Sequence, residues 1–297
     1  MKARLQAPGT CIPETELILR PDGSLYHLGI TPEDVLDKVL IVGDPERVPL
    51  ISAHFDKVFR KVSSREFVVH SGELAGKGIT VVSSGIGVDN IDIVINELDA
   101  AVNIDLATRQ IKNTTKSLEI VRIGTSGTIQ EDIPVGSFVA SAFAFGLDGV
   151  PYSYSDSALE DTEKELVGFL KEEVPFLSTQ SGLYAVQSSK HLLQRLAADM
   201  TQGITATQNG FYGPQGRSVR LQSKVETVID ELSKLRFQGY RITNFEMECS
   251  GIYALASMLG HKSLTVCAIL ANRATKEFHK NPSKSMESLI NTVLERV

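Results

Sequence analysis

Short apolar runs alternate along the chain with amphipathic segments, and this alternation predicts an α/β fold. Residues 39–42, 120–123 and 263–272 are almost unbroken apolar runs, whereas residues 91–98 and 286–297 carry apolar side chains at helical spacing. Unbroken apolar strands are typical of a mostly parallel sheet that is buried on both faces. We therefore expect such a sheet, covered by helices.

Nothing resembling a linker divides the chain, so we expect one domain over residues 25–297 after a partly ordered N-terminal extension, residues 1–24. A polar stretch within residues 99–117 delays the next strand and is predicted to be a surface insertion. The remaining predicted elements are strands over residues 65–70, 78–84, 136–142 and 182–187, the first two antiparallel, and helices over residues 160–173 and 251–256.

Glycines follow three of the predicted strands, at Gly43, Gly85 and Gly124. In open α/β sheets the ligand site lies beyond the carboxyl ends of the strands, where glycine lets backbone N–H groups approach a ligand. Arg47 lies one turn beyond Gly43 and could reach the same edge. Each glycine alone is also compatible with an ordinary strand-to-helix turn.

Arg122 lies inside an apolar strand, and a buried guanidinium needs a partner. An internal carboxylate is one candidate. A bound oxyanion is the other, because the hydroxyl and N–H groups of Thr125, Ser126 and Gly127 follow directly and could hold the same anion.

The segment Glu246-Met247-Glu248 places two carboxylates on either side of one methionine. In an extended backbone residues i and i+2 point to the same side, so both carboxylates would face one pocket with Met247 beside them. A carboxylate can accept hydrogen bonds from two adjacent sugar hydroxyls. The alternative is a solvated pair at a helix start, where negative charge is favoured.

Residues 211–217 combine an aromatic pair with Gln215 and Arg217. An amide offers a donor and an acceptor, and a guanidinium offers a fork of donors, so together they could bind the imide edge of a pyrimidine. An exposed loop with an incidental amide and guanidinium is the alternative.

Composition excludes several classes of protein. A net charge of −6 disfavours a nucleic-acid surface, and no apolar run of about 18 residues is present to span a membrane. Three scattered cysteines and six scattered histidines lack the spacing of a disulfide framework or a zinc site. The first residues lack the apolar core of a secretory signal, so a cytoplasmic location is expected.

Taken together, these segments resemble the nucleoside phosphorylase superfamily and, within it, the uridine phosphorylases. The similar segments are, in order, HLGI, VGDPERV, SSREF, SSGIG, RIGTSG, FYGPQGR, NFEMEC and NR. The resemblance implies a single-domain, three-layer α/β/α fold around a mixed, partly barrel-like sheet. It also implies phosphorolysis of uridine to uracil and α-D-ribose 1-phosphate.

The resemblance implies a role for each matching residue. The implied phosphate-binding residues are Gly43, Arg47, Arg122 and Thr125, with Arg65 from a neighbouring subunit. The implied ribose-binding residues are Thr125, Glu246, Met247 and Glu248, with His27 from the neighbour. The implied base-binding residues are Ser126, Gly127, Phe211, Gln215, Arg217 and Arg273. The implied catalytic residues are Arg122, Gln215, Arg217 and Glu248.

The resemblance further implies a homodimer at least, and possibly a hexamer, with phosphate as co-substrate and no metal or organic cofactor. An interface potassium ion stays open, because relatives that bind one use a serine where this chain has Asn90, beside Glu66 and Ile86. Purine-cleaving relatives carry an acidic aspartate where this chain has Asn272. Gly213-Pro214 before Gln215 also departs from familiar relatives.

Two alternatives to the uridine assignment stay open. One is a phosphorylase of another nucleoside, such as deoxyuridine, thymidine or inosine. The other is a non-catalytic nucleoside-binding or storage protein of the same fold, which would have no need of the arginine set.

Overall fold

Twelve strands of the chain form one mixed sheet. The computed structural model describes all 297 residues. The strands are β1 Lys38–Val42, β2 Lys57–Ser64, β3 Phe67–Leu74, β4 Lys77–Ser83, β5 Ile104–Asp105, β6 Gln110–Ile111, β7 Glu119–Thr128, β8 Phe138–Gly146, β9 Tyr184–Gln187, β10 Thr201–Thr207, β11 Arg236–Phe237, β12 Tyr240–Glu246, β13 Lys262–Asn272 and β14 Glu277–Phe278. The helices are α1 Arg47–Ser52, α2 Val88–Asn103, α3 Asp161–Glu173, α4 Pro175–Ser178, α5 Lys190–Ala197, α6 Glu226–Lys234, α7 Cys249–Met258 and α8 Pro282–Leu294.

Part of the sheet closes into a barrel. The strands run in the order β12, β10, β8, β13, β7, and β12 then pairs back onto β7 through Asn244 with Thr128 and Phe245 with Gly127. Beyond β7 the sheet continues as an open layer of β1, β4, β3 and β2. Pairing is mixed, since β13 is parallel to β7 and antiparallel to β8. The mixed, partly barrel-like sheet is therefore confirmed.

The sheet is buried on both faces, which explains the unbroken apolar strands. In β1, Leu40 and Val42 belong to one hydrophobic cluster, whereas Val39 and Ile41 point the other way into a second cluster. Helices α3, α5 and α8 cover the first face, and α2 with α7 covers the second. The three-layer arrangement follows from this division.

Helices α2 and α7 approach each other closely because α7 is built from small residues. A Cβ atom on Gly251 would lie 2.8 Å from a methyl carbon of Val88, at the start of α2. The close approach matters for the site, because both helices begin beside it.

The N-terminal extension and the insertion pack against each other. The N–H of Ile12 donates to the carbonyl of Arg109, and that of Gly9 to Ile111, both at 2.8 Å. Met1 and Leu17 are buried in the same cluster as α2. The insertion predicted over residues 99–117 is shorter than expected, because α2 continues to Asn103. Only the two-stranded β5–β6 ribbon leaves the helix layer.

No helix is both long and apolar enough to cross a bilayer. The boundary at residue 24 stays a prediction, although the contacts above attach the extension to the domain.

Replacing Tyr253 by Phe is expected to destabilise the fold by about 2–4 kcal/mol, because each buried polar group left unpaired costs about 1–3 kcal/mol. The Tyr253 hydroxyl donates to the carbonyl of Ser141 and accepts the N–H of Thr265, both at 2.8 Å, and so ties α7 to β8 and β13. Urea unfolding of the variant measures the loss.

Tyr240→Phe is the matched control. The Tyr240 ring packs edge-on against Phe143 at 5.6 Å, and its hydroxyl is in no hydrogen bond within the chain. Equal stability of the two variants would contradict the role given to the Tyr253 hydroxyl.

Candidate active site

A cavity of about 600 Å³ lies where β1, β7 and β12 end. Twelve of the fifteen residues expected in the site line this cavity: Gly43, Arg47, Arg122, Thr125, Ser126, Gly127, Phe211, Gln215, Arg217, Glu246, Met247 and Glu248. The loops after β1 and β12, the carboxyl half of β7 and the segment after β10 therefore meet in one place. His27, Arg65 and Arg273 do not line it.

One end of the cavity carries two guanidinium groups. Arg47, the first residue of α1, is partly buried, and Arg122 is almost completely buried in β7. Burial lowers the pKa of Arg47, with Asp44 opposing and Arg122 adding to the effect. Two neighbouring cations with Thr125 and Gly43 beside them form a site for a compact oxyanion.

Arg122 has the internal carboxylate partners that the sequence left open. Its Nη2 contacts Glu248, and its Nη1 lies 3.3 Å from Glu246 Oε2. Burial by itself would lower the pKa of Arg122, but the two carboxylates outweigh burial and raise it. The Nε–H is buried without a hydrogen-bond partner, and Nη1 otherwise meets only Cys267 Sγ at 3.4 Å. The guanidinium therefore keeps donor capacity for a bound anion.

The two glutamates have different surroundings. Glu246 Oε1 accepts the Thr207 hydroxyl at 2.6 Å, and its Oε2 accepts the N–H groups of Glu248 and Cys249 at 2.8 Å. Glu246 thus uses one oxygen to hold the end of β10 and the other to hold the start of α7. Glu248 accepts the N–H of Gly87 at 2.7 Å and pairs with Arg122. Burial raises the pKa of Glu246, Arg122 opposes this, and Glu248 adds to it.

The other end of the cavity carries the amide and guanidinium of the 211–217 loop. Gln215 is buried, and Arg217 donates to its Oε1 at 2.6 Å. The Arg217 guanidinium also lies 3.9 Å from the centre of the Phe211 ring. Burial, with repulsion from Arg273, lowers the pKa of Arg217 to about 10. The structure thus brings the predicted base-binding trio together.

Arg273 supports this loop from outside the cavity. It donates to the carbonyl of Gln215 and, at 3.1 Å, to that of Gly216. Arg273 therefore holds the base-end loop in place, and its direct contact with a base stays a prediction. Asn272 is also outside the cavity, because its side chain is bonded to backbone groups that include the carbonyl of Ile133 at 2.9 Å and the N–H of Ala274 at 3.0 Å.

His27 and Arg65 lie together on the surface of the chain. The Arg65 guanidinium is 5.3 Å from the centre of the Tyr26 ring, which lies 5.0 Å from the His27 ring. His27 Nδ1 is 2.6 Å from Glu97 Oε1, which fixes the imidazole. Arg65 has a φ of 54° in the turn between β2 and β3, an uncommon conformation for a side chain of this size.

Sequence reasoning missed several lining residues, including the exposed apolar side chains of Ile86 and Phe278. Ile86 lies between two glycines of a strand end, which was a usable signal, whereas the two-residue strand that carries Phe278 has no local pattern. A Cβ atom on Gly85 would lie 2.4 Å from Asn90 Nδ2 and 3.5 Å from Glu66 Cγ. The three potassium candidates, Glu66, Ile86 and Asn90, are thus close neighbours, and potassium binding stays open.

A family model described as "Phosphorylase superfamily" matches residues 37–297. The chain belongs to the phosphorylase superfamily.

Similar members of the phosphorylase superfamily include a uridine phosphorylase of Thermococcus kodakarensis, 32% identical over 276 residues, covering 92% of this chain and 84% of that protein. A uridine phosphorylase of Klebsiella aerogenes is 28% identical over 259 residues, or 85% of this chain and 88% of that protein. Among solved structures, a Trypanosoma brucei nucleoside phosphorylase described as showing uridine phosphorylase activity aligns with a TM-score of 0.83. It is 27% identical and covers 94% of this chain and 98% of that one.

Replacing Arg122 by Met is expected to lower the free energy of unfolding by about 3–5 kcal/mol at pH 8, because two carboxylates stay buried without their cation. The loss should shrink toward pH 5. Burial already raises the pKa of Glu246, and removing Arg122 raises it further, so the folded variant takes up protons as the pH falls and gains stability. Urea unfolding at both pH values measures the difference.

Arg241→Met is the control, since it removes an exposed pair with Asp132 at 2.7 Å. Such pairs contribute about 0–1 kcal/mol. A loss for Arg122→Met that is as small as the control, or independent of pH, would contradict the buried ion-pair assignment.

Proposed function

We propose that the protein is a uridine phosphorylase, which transfers the ribosyl group of uridine to phosphate and releases uracil and α-D-ribose 1-phosphate. One observation carries the proposal: a single cavity has two guanidinium groups at one end, an amide with a guanidinium at the other, and Glu248 in its wall. Phosphate, ribose and base each find groups of suitable chemistry.

The charges of the cavity suit phosphorolysis. Phosphate held by Arg47 and Arg122 attacks C1′ from the face opposite the base, and the C1′–N1 bond breaks as the ribose becomes oxocarbenium-like. The electron pair leaves with uracil, whose negative charge Gln215 and Arg217 stabilise. Glu248 holds the ribose hydroxyls, so that the reacting atoms are aligned.

The base end supports a pyrimidine rather than a purine. Gln215 and Arg217 match the imide edge of uracil, whose departing anion needs hydrogen-bond donors and no general acid. Asn272 makes only backbone contacts outside the cavity and has no proton to deliver. The relatives named as uridine phosphorylases support the same choice. Deoxyuridine and thymidine stay open as further substrates.

We also propose that the working unit is at least a homodimer with shared sites. Support comes from the surface position of His27 and Arg65 beside Tyr26, away from the cavity of their own chain. A second copy could bring the cation of Arg65 to phosphate and the imidazole of His27 to the 5′-hydroxyl. Phosphate is the co-substrate, and we expect no metal or organic cofactor because protein groups supply the charges that the step needs.

Uridine is expected to be cleaved to uracil only when phosphate is added. The measurement is uracil release from uridine with and without phosphate, with inosine, thymidine and deoxyuridine assayed in parallel. Uracil release without phosphate would indicate a hydrolase, preferential cleavage of inosine would overturn the base assignment, and no cleavage of any nucleoside would favour a binding protein.

Mixing Arg65→Ala chains with Glu248→Ala chains, each expected to be inactive, should restore about a quarter of wild-type activity. Random pairing makes half of the dimers mixed, and each mixed dimer has one intact site of two. The assay is uridine phosphorolysis after joint refolding of the two chains.

Mixing Arg122→Ala with Glu248→Ala is the control, because both residues line the same cavity and no intact site can form. If mixed oligomers of the first pair form but have no more activity than this control, the shared site is wrong.

A further inference from the structure

Gly124 lies directly beneath the guanidinium of Arg122. The two residues are i and i+2 on β7, so they face the same side of the sheet. A Cβ atom on Gly124 would lie 2.0 Å from Arg122 Nη1 and 2.7 Å from its Cζ. No side chain other than hydrogen fits there while Arg122 keeps its position.

The backbone conformation does not account for this glycine. Gly124 is not among the residues with positive φ, and it pairs regularly with Cys267 of β13. Glycine in the interior of a strand destabilises it relative to alanine. The structure explains the glycine at position 124 by the space that it leaves for the Arg122 guanidinium.

The side chain of Cys267 packs beside the same guanidinium. Its Sγ lies 3.4 Å from Arg122 Nη1 and would lie 3.0 Å from a Cβ atom on Gly124. Burial raises the pKa of the Cys267 thiol to about 11, so the group is uncharged beside the guanidinium. The Arg122 guanidinium is therefore confined to one position. Gly124 lies below it, Cys267 lies beside it, and Glu246 Oε2 lies 3.3 Å from its Nη1.

We propose that Gly124 is a positioning residue for phosphate, whose missing side chain lets the Arg122 guanidinium lie against β7 at the correct depth in the cavity. This inference rests on the proposed phosphorolysis. An alanine at position 124 pushes the guanidinium off the strand into the space that phosphate occupies. Phe211, Gln215 and Arg217, which form the base end of the cavity, are on a different segment and keep their positions.

The experiment compares Gly124→Ala with the wild-type chain. Inorganic phosphate binding without nucleoside is measured by calorimetry, and the KM values for phosphate and uridine are measured by uracil release. Phosphate affinity is expected to fall about 10- to 100-fold, because a displaced guanidinium loses charge-assisted hydrogen bonds to the anion. The KM for uridine is expected to change far less.

Gly168→Ala is the matched control, since a Cβ atom there meets nothing within 4 Å. It adds the same methyl group in α3 and should leave both KM values and the phosphate affinity unchanged. If Gly124→Ala does not fold, the double variant Gly124→Ala/Cys267→Ala, which removes the 3.0 Å contact with sulfur, takes its place. The same selective loss of phosphate affinity is expected from it.

Three results would overturn the proposal. They are wild-type phosphate affinity in a folded Gly124→Ala variant, equal losses for phosphate and uridine, and failure of both position-124 variants to fold. Failure of the proposed function is a separate result, because the wild-type chain would then bind phosphate in the calorimeter without cleaving uridine.

Discussion

The buried ion pairs of Arg122 with Glu246 and Glu248 are the constraint on which the site depends. Each of the three groups would be costly to bury alone, so β7 and β12 must end at a fixed separation for the charges to compensate one another. The pairing of Phe245 with Gly127 sets that separation and also closes the barrel. Closure of the sheet and assembly of the site are therefore one structural event.

Glu246 and Glu248 both compensate the charge of Arg122, but their other contacts differ. Glu246 is bonded to Thr207 and to two N–H groups at the start of α7, so it acts mainly on the protein. Glu248 faces the cavity with fewer bonds and is the better partner for sugar hydroxyls. An anion that draws Arg122 toward itself would weaken the Arg122–Glu248 contact and release one carboxylate oxygen.

The base end is held by different means. Gln215 and Arg217 lie on an irregular loop, and Arg273 fixes that loop through two of its carbonyl groups. The exposed ring of Phe278, on a strand that pairs with Ala271, also lines the cavity. One end of the cavity is thus built on a strand and the other on a loop, so substitutions in the loop can alter one end without displacing Arg122.

Much of the fold was predictable because its signals are local. A strand buried on both faces must be apolar at every position, and β1, β7 and β13 were recognised on that ground. The site residues were found because chemically distinctive groups lie at or near the carboxyl ends of recognisable strands, and twelve of the fifteen expected residues line one cavity. Strand β2 was missed because its side chains are mostly exposed and polar.

By itself the sequence determined the elements, the layers and the chemical types of the groups at the strand ends. Only the tertiary structure decided which groups meet. The partners of Arg122 lie more than a hundred residues away in the sequence, and the side chains of Asn272 and Arg273 bond to backbone groups instead of lining the cavity, although both lie at the end of a predicted site strand. Such contacts depend on how distant strands close into a barrel, and no local spacing encodes the direction in which a side chain leaves the end of a twisted strand.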